Sequence, residues 1–151
     1  MRDVVPARLT VVTLGARDLD SLKAFYSGLG WTLAIDLEDF AAFRTEGAVL
    51  TLYLLEKLAA DGSVEAAAPQ QGLRGFTLDI NVERPEEVDG VIEAVKRAGG
   101  RVTKEPVTAE WGGRSAYFAD PEDNFWEVAW VPPESEMAKL LRHAIGGAPQ
   151  A

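Results

Sequence analysis

The residue most able to take part in chemistry is Glu127, a single carboxylate in the apolar run from Asn124 to Trp130. A carboxylate among large apolar side chains is costly unless it has a partner or a function. In its neutral form Glu127 can donate a hydrogen bond, and in its ionised form it can bind an amine or abstract a proton. Alternatively, a backbone amide or a hydroxyl satisfies it, and it contacts no ligand. We interpret Glu127 as the candidate catalytic residue and as the polar contact of a ligand pocket.

Side chains that bind transition metals are scarce in this chain. It has no cysteine and one histidine, His143, which lies near the C-terminus and is expected to face solvent. Tight zinc, iron, nickel or copper sites need three or four well-placed donors, usually including imidazole. Magnesium or calcium needs several converging oxygen ligands. The sequence therefore predicts no metal and no other cofactor, with a weak cation site at Glu127, Asp79 and hydroxyls as the alternative.

The composition is that of one ordinary globular domain. The chain is 47% hydrophobic and 26% charged, as in an ordinary globular protein. Its 151 residues are enough for one domain with a core but too few for two conventional domains. No apolar run approaches the roughly 18 residues that span a bilayer, and the first residues lack the apolar core of a secretion signal. We expect a cytoplasmic protein without a membrane partner. The net charge of −9 and the scattered basic residues argue against a nucleic-acid partner.

The first half of the chain, from about 8 to 56, has the order β-α-β-β-β. A β-branched run from Leu9 to Leu14 is followed by Asp18, a helix cap, and then by apolar residues at helical spacing up to Gly30. Three extended runs come next, at residues 31–35, 40–44 and 48–55.

The second half, from about 74 to 132, repeats that order. A strand-like run from Gly75 to Val82 precedes Pro85, which suits the first turn of a helix. Apolar residues at helical spacing then continue to Gly99, where the helix is predicted to end. Three further extended runs follow, at residues 101–107, 114–119 and 124–131.

Two segments lie outside these halves. Residues 57 to 73 are rich in Ala, Gly, Pro and Gln and are treated as a linker. This linker is either a short helix followed by a loop or a flexible crossover. Residues 133 to 151 are predicted to form a helix from Ser135 to Ile145 and a tail. The apolar stripe of this helix is expected to pack on the domain or on a second subunit. All 151 residues are predicted to form one domain.

Three segments then occur in a characteristic order. They are Asp18 to Tyr26 before Leu29-Gly30-Trp31, Trp111 to Arg114, and Asp120 to Val128. Together with the duplication they resemble the vicinal oxygen chelate superfamily, which includes glyoxalase I, extradiol dioxygenases, fosfomycin-resistance proteins and bleomycin-binding proteins. The resemblance covers Leu9 to Pro132 and implies an α+β fold, in which two tandem βαβββ modules form a cupped half-barrel. Asp123 stands where relatives commonly carry Gly, which implies a different turn.

In that superfamily the metal ligands come from the first and fourth strands of each module. The four positions carried over to this chain are Val11, Thr51, Ile80 and Glu127. The first-strand positions are counted back seven residues from the helix-start acids Asp18 and Glu87. Only Glu127 among the four is a strong metal ligand. A slip of the count in the second module would bring Asp79 or Thr77 to the site instead.

Strand alternation predicts which side chains line the cup. The predicted ligand-binding residues are Val11, Thr13, Thr51, Tyr53, Ile80, Trp111, Arg114, Phe125 and Glu127. This wall is mostly apolar and partly hydroxylated, with one acid, which is typical of a small-molecule pocket. Trp111 precedes two glycines and suits a loop at the pocket mouth. The other tryptophans, Trp31, Trp126 and Trp130, are expected in the core.

Three functional hypotheses are consistent with these residues. The first is a glyoxalase/bleomycin-resistance-like protein that binds a small, largely apolar or aromatic molecule in a metal-free pocket. The second is a lyase or isomerase-type enzyme of the same superfamily, with Glu127 as general base or as the sole strong ligand of a weakly bound divalent metal. The third is a structural or interaction domain with a closed cavity. The expected partners are a small organic molecule and a second copy in a homodimer.

Overall fold

The chain folds into two successive βαβββ modules followed by a C-terminal helix. The computed structural model describes residues 5 to 145. In chain order the elements are β1 (Val11–Ala16), α1 (Leu19–Gly28), β2 (Thr32–Asp36), β3 (Phe40–Arg44), β4 (Val49–Leu54), α2 (Leu55–Asp61), β5 (Leu78–Asn81), α3 (Pro85–Arg97), β6 (Arg101–Thr108), β7 (Arg114–Ala119), β8 (Phe125–Trp130) and α4 (Glu136–Ile145). The predicted fold is confirmed, whereas residues 1–4 and the predicted tail, 146–151, lie outside the described residues.

Each module contributes one open four-stranded sheet. The strand orders are β1-β4-β3-β2 in the first sheet and β5-β8-β7-β6 in the second. The first and fourth strands of each module are parallel neighbours, and the remaining pairs are antiparallel. This topology brings first-strand and fourth-strand side chains next to each other in both sheets.

The helices α1 and α3 pack against the sheets and begin at different kinds of cap. Asp18 caps α1 by accepting a hydrogen bond from the backbone of Ser21 at 3.1 Å. In α3 the first residue is Pro85, and Glu87 accepts from the backbone N–H of Arg84 at 3.0 Å, as in a capping box. The inner faces of both sheets and both helices share one hydrophobic core. Its largest fully buried side chains are Leu22, Phe25, Tyr26, Phe43, Leu52, Val88, Ile92, Val95, Phe118 and Val128.

The short helix α2 lies against the first sheet. It starts at Leu55, directly after β4, and packs over Gly15 of β1 on the face opposite the core. A Cβ atom at Gly15 would come within 2.6 Å of the Leu55 Cδ1 atom, so the glycine permits this approach. We call the face of each sheet that lies opposite the core its outer face. The helix α2 covers one end of the outer face of the first sheet.

The C-terminal helix α4 packs on the domain with one side and exposes apolar side chains on the other. Ser135 caps it by accepting a hydrogen bond from the backbone of Ala138, which is buried. Met137 and Leu140 are exposed, and His143 faces solvent as expected. Within the described part of the chain, every helix is too short or too polar to cross a membrane.

Candidate functional site

The outer face of each sheet carries one polar pair, formed by the first and fourth strands. In the first sheet Thr13 is the partner of Thr51, and their Oγ1 atoms are 2.7 Å apart. In the second sheet Asp79 is the partner of Glu127. Thr13 and Asp79 each precede the first residue of their module's helix by six positions. The two pairs therefore occupy equivalent places in the duplicated fold.

The structure does not bring Ile80 to the face of Glu127. Ile80 lies opposite Val128 and packs against the shared core, so the predicted register of the second module was wrong. The error comes from the helix start. Asp18 is the N-cap of α1, but Glu87 lies inside α3, and the N-cap of α3 is Arg84.

Counting back seven residues from the N-cap of α3 leads to Thr77 instead. Thr77 donates a hydrogen bond to Asp79 at 2.7 Å. Alternation along the strand places Asp79 on the face of Glu127. The residues that a slipped count would bring to the site are therefore the ones that the structure places there.

Sequence reasoning missed Tyr117. It lies opposite Glu127 in the antiparallel pair of β7 and β8. A hydrogen bond to the Glu127 carboxylate, then burial, then the negative charges of Glu127 and Asp79 raise the pKa of Tyr117 to about 12. Counting outward from the turn at residues 120–124 would have revealed this cross-strand neighbour. We call Asp79, Tyr117 and Glu127 the acid–tyrosine cluster.

Arg114 lies on the inner side of the second sheet and not beside Glu127. It binds Asp89 with two hydrogen bonds of 2.8 and 2.7 Å and donates to Thr108 at 3.0 Å. The hydrogen bond to Arg114 holds the pKa of Asp89 below its usual value. Among the residues that the structure describes, neither Asp79 nor Glu127 forms an ion pair. The acid–tyrosine cluster therefore carries uncompensated negative charge when both carboxylates are ionised.

The other predicted ligand-binding residues are spread over the two outer faces and one turn. Val11 is 47% exposed, Tyr53 stacks edge-on against Phe40, and Phe125 is half-buried. Trp111 is 64% exposed in the turn between β6 and β7, where its ring covers Gly113. Because a Cβ atom at position 113 would overlap the Trp111 ring, only glycine fits there. These residues do not converge on one cup in the way that the sequence predicted.

A cavity of about 490 Å³ instead lies between the two modules. We call it the central cavity. Its apolar walls are formed by Val12, Trp31 and Leu50 of the first module and by Leu78, Ile80 and Trp126 of the second. Arg44, Glu46 and Asp79 carry the charges of its rim. Of the predicted ligand-binding residues only Ile80 lines it, so the cavity differs from the predicted cup around Glu127.

An inter-module hydrogen-bond network lies behind the aromatic wall. Trp126 donates to the Tyr26 hydroxyl at 3.0 Å, and Tyr26 donates to Asp120 at 2.6 Å. Asp120 also accepts from the Asn124 side chain at 2.8 Å. Burial and the neighbouring Asp120 carboxylate raise the pKa of Tyr26 well above its usual value. Because Trp31 stacks on Tyr26 with ring centroids 5.6 Å apart, the network fixes both indoles of the cavity wall.

Comparison with known proteins identifies the family. A family model described as the Glyoxalase/Bleomycin resistance protein/Dioxygenase superfamily matches residues 8–128. The chain belongs to this superfamily. The resemblance predicted from the sequence motifs is thereby confirmed.

Solved structures of the superfamily agree with this assignment. A glyoxalase-related enzyme from Fulvimarina pelagi is 30% identical with a TM-score of 0.75, over 84% of this chain and 90% of the other. A glyoxalase/bleomycin resistance protein/dioxygenase from Nocardioides is 26% identical with a TM-score of 0.74, over 88% and 89%. Lactoylglutathione lyase from Agrobacterium tumefaciens shares the fold at 23% identity and a TM-score of 0.62, over 83% and 94%. None of the curated proteins compared matches the chain.

The donor set of this superfamily member does not fit a transition metal. With the corrected count, the four strand positions hold Val11, Thr51, Thr77 and Glu127, that is, one carboxylate and two hydroxyls. Asp79 adds a second carboxylate beside Glu127. Within residues 5–145, no three side chains of His, Cys, Asp or Glu converge as a metal site would require. A pocket that works without a metal stays a prediction.

Proposed function

We propose that the protein binds a small, largely apolar or aromatic molecule in the central cavity without the help of a metal ion. The observation that carries this proposal is the cavity itself. Its volume of about 490 Å³ falls within the roughly 300–1,000 Å³ of small-molecule pockets. Its walls come from both modules and are dominated by apolar and aromatic side chains. An open cavity also argues against a purely structural domain.

The chemistry of the walls supports a flat, apolar ligand with a polar end. The Trp31 and Trp126 rings lie edge to face with centroids 5.7 Å apart, and they offer aromatic surface to a guest. Indole rings gain about 0.5–1.5 kcal/mol from well-oriented aromatic partners, in addition to area burial. The rim carries charges of both signs, so the polar end of the ligand would lie at the mouth. The inter-module network keeps the two indoles in place before the ligand arrives.

The indole N–H resonances of the protein test this proposal. Two of the four tryptophans line the central cavity, and Trp111 and Trp130 serve as internal references. We expect 2-naphthol to cause saturable NMR shifts at Trp31 and Trp126, with the same dissociation constant before and after EDTA treatment. Equal shifts at all four indoles, or affinity that disappears with EDTA, would contradict the proposal.

A matched pair of variants locates the bound probe. Ala48 is half-buried at the cavity, so Ala48→Phe should fill the space and weaken 2-naphthol binding at least tenfold. Ala144 is exposed on α4, and Ala144→Phe should leave the affinity unchanged. If Ala48→Phe binds the probe as well as the original protein does, the central cavity is not the site.

An enzyme is the second candidate function, and the acid–tyrosine cluster favours it. Glu127 lies opposite Tyr117 and beside Asp79 and forms no ion pair in the described chain, so it is available as a general base. For this candidate we expect the protein to accelerate deuterium incorporation into hydroxyacetone in D₂O. Glu127→Gln should abolish the acceleration without affecting 2-naphthol binding, and Asp39→Asn should preserve it. Exchange at the rate of protein-free buffer would exclude Glu127 as a base toward this carbon acid.

The outer faces support a homodimer as the assembly. Val11 and Val49 are neighbours on the first outer face and are 47% and 36% exposed, and Val107 is 47% exposed in the second sheet. Exposed aliphatic side chains in a group are typical of interaction surfaces. We expect light scattering to give twice the 16.3 kDa chain mass, Val11→Lys to shift it toward the monomer, and Val64→Lys in the linker to leave it unchanged. A monomeric wild-type protein would refute the dimer.

A further inference from the structure

A second, smaller cavity separates β1 from the linker and from the start of β8. Its volume is about 220 Å³, and we call it the side cavity. Residues around it include Thr13, Arg17, Ala67, Gln70, Arg74 and Phe76. Among residues 5–145, two arginines and no carboxylate line it. The central cavity, in contrast, carries charges of both signs on its rim.

Both guanidinium groups are held by neutral acceptors. Arg17 Nη2 donates to the carbonyl oxygen of Ala67 at 2.9 Å. Arg74 Nη2 donates to the carbonyl oxygen of Asp123 at 2.7 Å and to Asn124 Oδ1 at 3.1 Å, with a longer contact to the carbonyl oxygen of Glu122. These contacts hold the two side chains through neutral oxygen atoms and use no carboxylate oxygen.

Neither arginine has a carboxylate partner among the residues that the structure describes, although acids are abundant in the chain. The protein has 24 acidic and 15 basic residues, yet neither Arg17 nor Arg74 forms an ion pair within the described residues. The carboxylate of Glu122, which lies in this region, accepts instead from the backbone N–H groups of Arg17 and Asp18 at 2.7 to 3.0 Å. Two positive charges at one cavity thus have no ion-pair partner in the described chain.

Guanidinium groups match oxyanions in geometry as well as in charge. Each has five N–H donors in a planar fork, and in both arginines these hydrogen bonds use only Nη2. Leu14, Leu55 and Phe76 supply apolar surface beside the two side chains, and both arginines are exposed, so an anion in solution can reach them. We propose that the side cavity binds a small oxyanion, a phosphate or a carboxylate, between Arg17 and Arg74.

NMR titration at constant ionic strength tests the site directly. We expect inorganic phosphate or malonate to cause saturable amide shifts in β1, in the segment 67–76 and at Asn124, whereas chloride causes none. The anion that saturates at the lower concentration identifies the preferred class. A response that chloride reproduces, or that stays linear to high concentration for both anions, would overturn the proposal.

Charge-removing variants separate binding from a purely structural role. Arg17→Gln and Arg74→Gln keep an amide donor for the carbonyl contacts but remove the charge, and each should weaken anion binding at least tenfold. Arg97 is exposed at the end of α3, so Arg97→Gln removes the same charge elsewhere and should leave binding unchanged. If all three variants weaken anion binding equally, the loss reflects the net charge of the protein and not a specific site, and the proposal is refuted.

A third variant keeps both arginines and therefore remains informative if the glutamine variants unfold. Ala68 lines the side cavity and is exposed. Ala68→Glu would supply a tethered carboxylate that competes with the anion, whereas Ala68→Gln is its uncharged control. We expect the Glu variant alone to lose phosphate and malonate binding. If both variants bind the anions equally, the arginines only fasten the linker.

Discussion

The two modules of this chain share one topology and differ at the centre of their outer faces. Equivalent positions hold a hydroxyl pair, Thr13 and Thr51, in the first module and a carboxylate pair, Asp79 and Glu127, in the second. The hydroxyls satisfy each other at 2.7 Å, whereas the carboxylates rely on Thr77 and on Tyr117. The duplicated fold tolerates either pair. At these equivalent outer-face positions, only the second module offers carboxylates.

The inner faces teach the opposite lesson, because there the modules depend on each other. Tyr26 of the first module is fully buried and donates a hydrogen bond to Asp120 of the second. Trp126 joins the same network. A single core runs through both halves. We therefore expect substitutions on the inner side to destabilise the whole chain and those on the outer side to act locally.

The largest effect should follow from breaking the inter-module network. Asp120→Ala leaves the Tyr26 hydroxyl and the Asn124 amide buried without their acceptor. Because a buried hydrogen bond to a charged group contributes about 1.5–3 kcal/mol and a buried donor left unsatisfied costs about 1–3 kcal/mol, we expect the free energy of unfolding to fall by roughly 3 kcal/mol. Urea denaturation measures this change, with both modules unfolding in one transition.

An exposed ion pair of the first module provides the control. Asp36 binds Lys23 at 2.8 Å with its side chain 62% exposed, so Asp36→Ala should cost less than about 1 kcal/mol. If Asp120→Ala costs no more than Asp36→Ala, the modules do not depend on the network. Two separate unfolding transitions in Asp120→Ala would show that each module folds alone after the network is lost.

The second effect concerns the titration of Tyr117. The hydrogen bond to Glu127 is the main cause that raises its pKa to about 12, so Glu127→Gln should return the pKa toward the usual value of about 10. Since the folded pKa is raised, the stabilising contribution is complete below about pH 10 and is lost as the pH rises through about 12. Ultraviolet titration of the tyrosines, or NMR of the Tyr117 ring, measures the shift.

The first module offers the matched comparison for this titration. Thr51→Val changes the equivalent outer-face position and should leave the pKa of Tyr117 unchanged. A Tyr117 pKa that stays near 12 in Glu127→Gln would mean that burial, and not the carboxylate, dominates. The asymmetry between the modules would then be steric and not electrostatic.

Sequence reasoning found the fold because the fold follows from local patterns. Helical spacing and extended runs indicate both βαβββ units, with Asp18 at the start of the first helix and Pro85 at the start of the second. The pairing of the two units in one cupped fold came from the resemblance to the superfamily. The prediction was wrong at Ile80, because the strand position was counted back from Glu87. The N-cap of α3 is Arg84, and Glu87 lies inside the helix. Side chains alternate between the two faces of a strand, so an error of one or three residues in the count assigns each side chain to the wrong face.

The cavities were beyond the reach of the sequence for a different reason. The central cavity depends on how the two modules are placed against each other, and this placement is fixed by contacts such as Tyr26 with Asp120, 94 residues apart. Periodicity carries no information on such distant pairs. Trp31 and Trp126 were expected in the core, and they do pack against it while also lining the cavity.

A smaller effect should follow from removing the hydroxyl pair. Thr51→Val keeps the shape of the buried side chain but removes its hydrogen bond to Thr13. A hydrogen bond between neutral groups contributes about 0.5–1.5 kcal/mol, and the added methyl group offsets part of it. We expect a loss of about 0.5 kcal/mol by urea denaturation. A loss above about 2 kcal/mol would show that the first module depends on this pair as the whole chain depends on Asp120.

The smallest effect should have the opposite sign and should depend on salt. Asp79 and Glu127 are direct neighbours of like charge across β5 and β8, and such pairs destabilise sheets by a few tenths of a kcal/mol. Asp79→Asn should therefore raise the urea midpoint slightly at low salt, and the gain should shrink at high salt because screening weakens the repulsion in the original protein. Thr13→Asn, at the equivalent position of the neutral pair, should show no such salt dependence. If Asp79→Asn instead lowers the midpoint at low salt, the hydrogen bond that Asp79 accepts from Thr77 at 2.7 Å outweighs the repulsion between the two carboxylates. The difference between the modules would then lie in hydrogen bonding and not in charge.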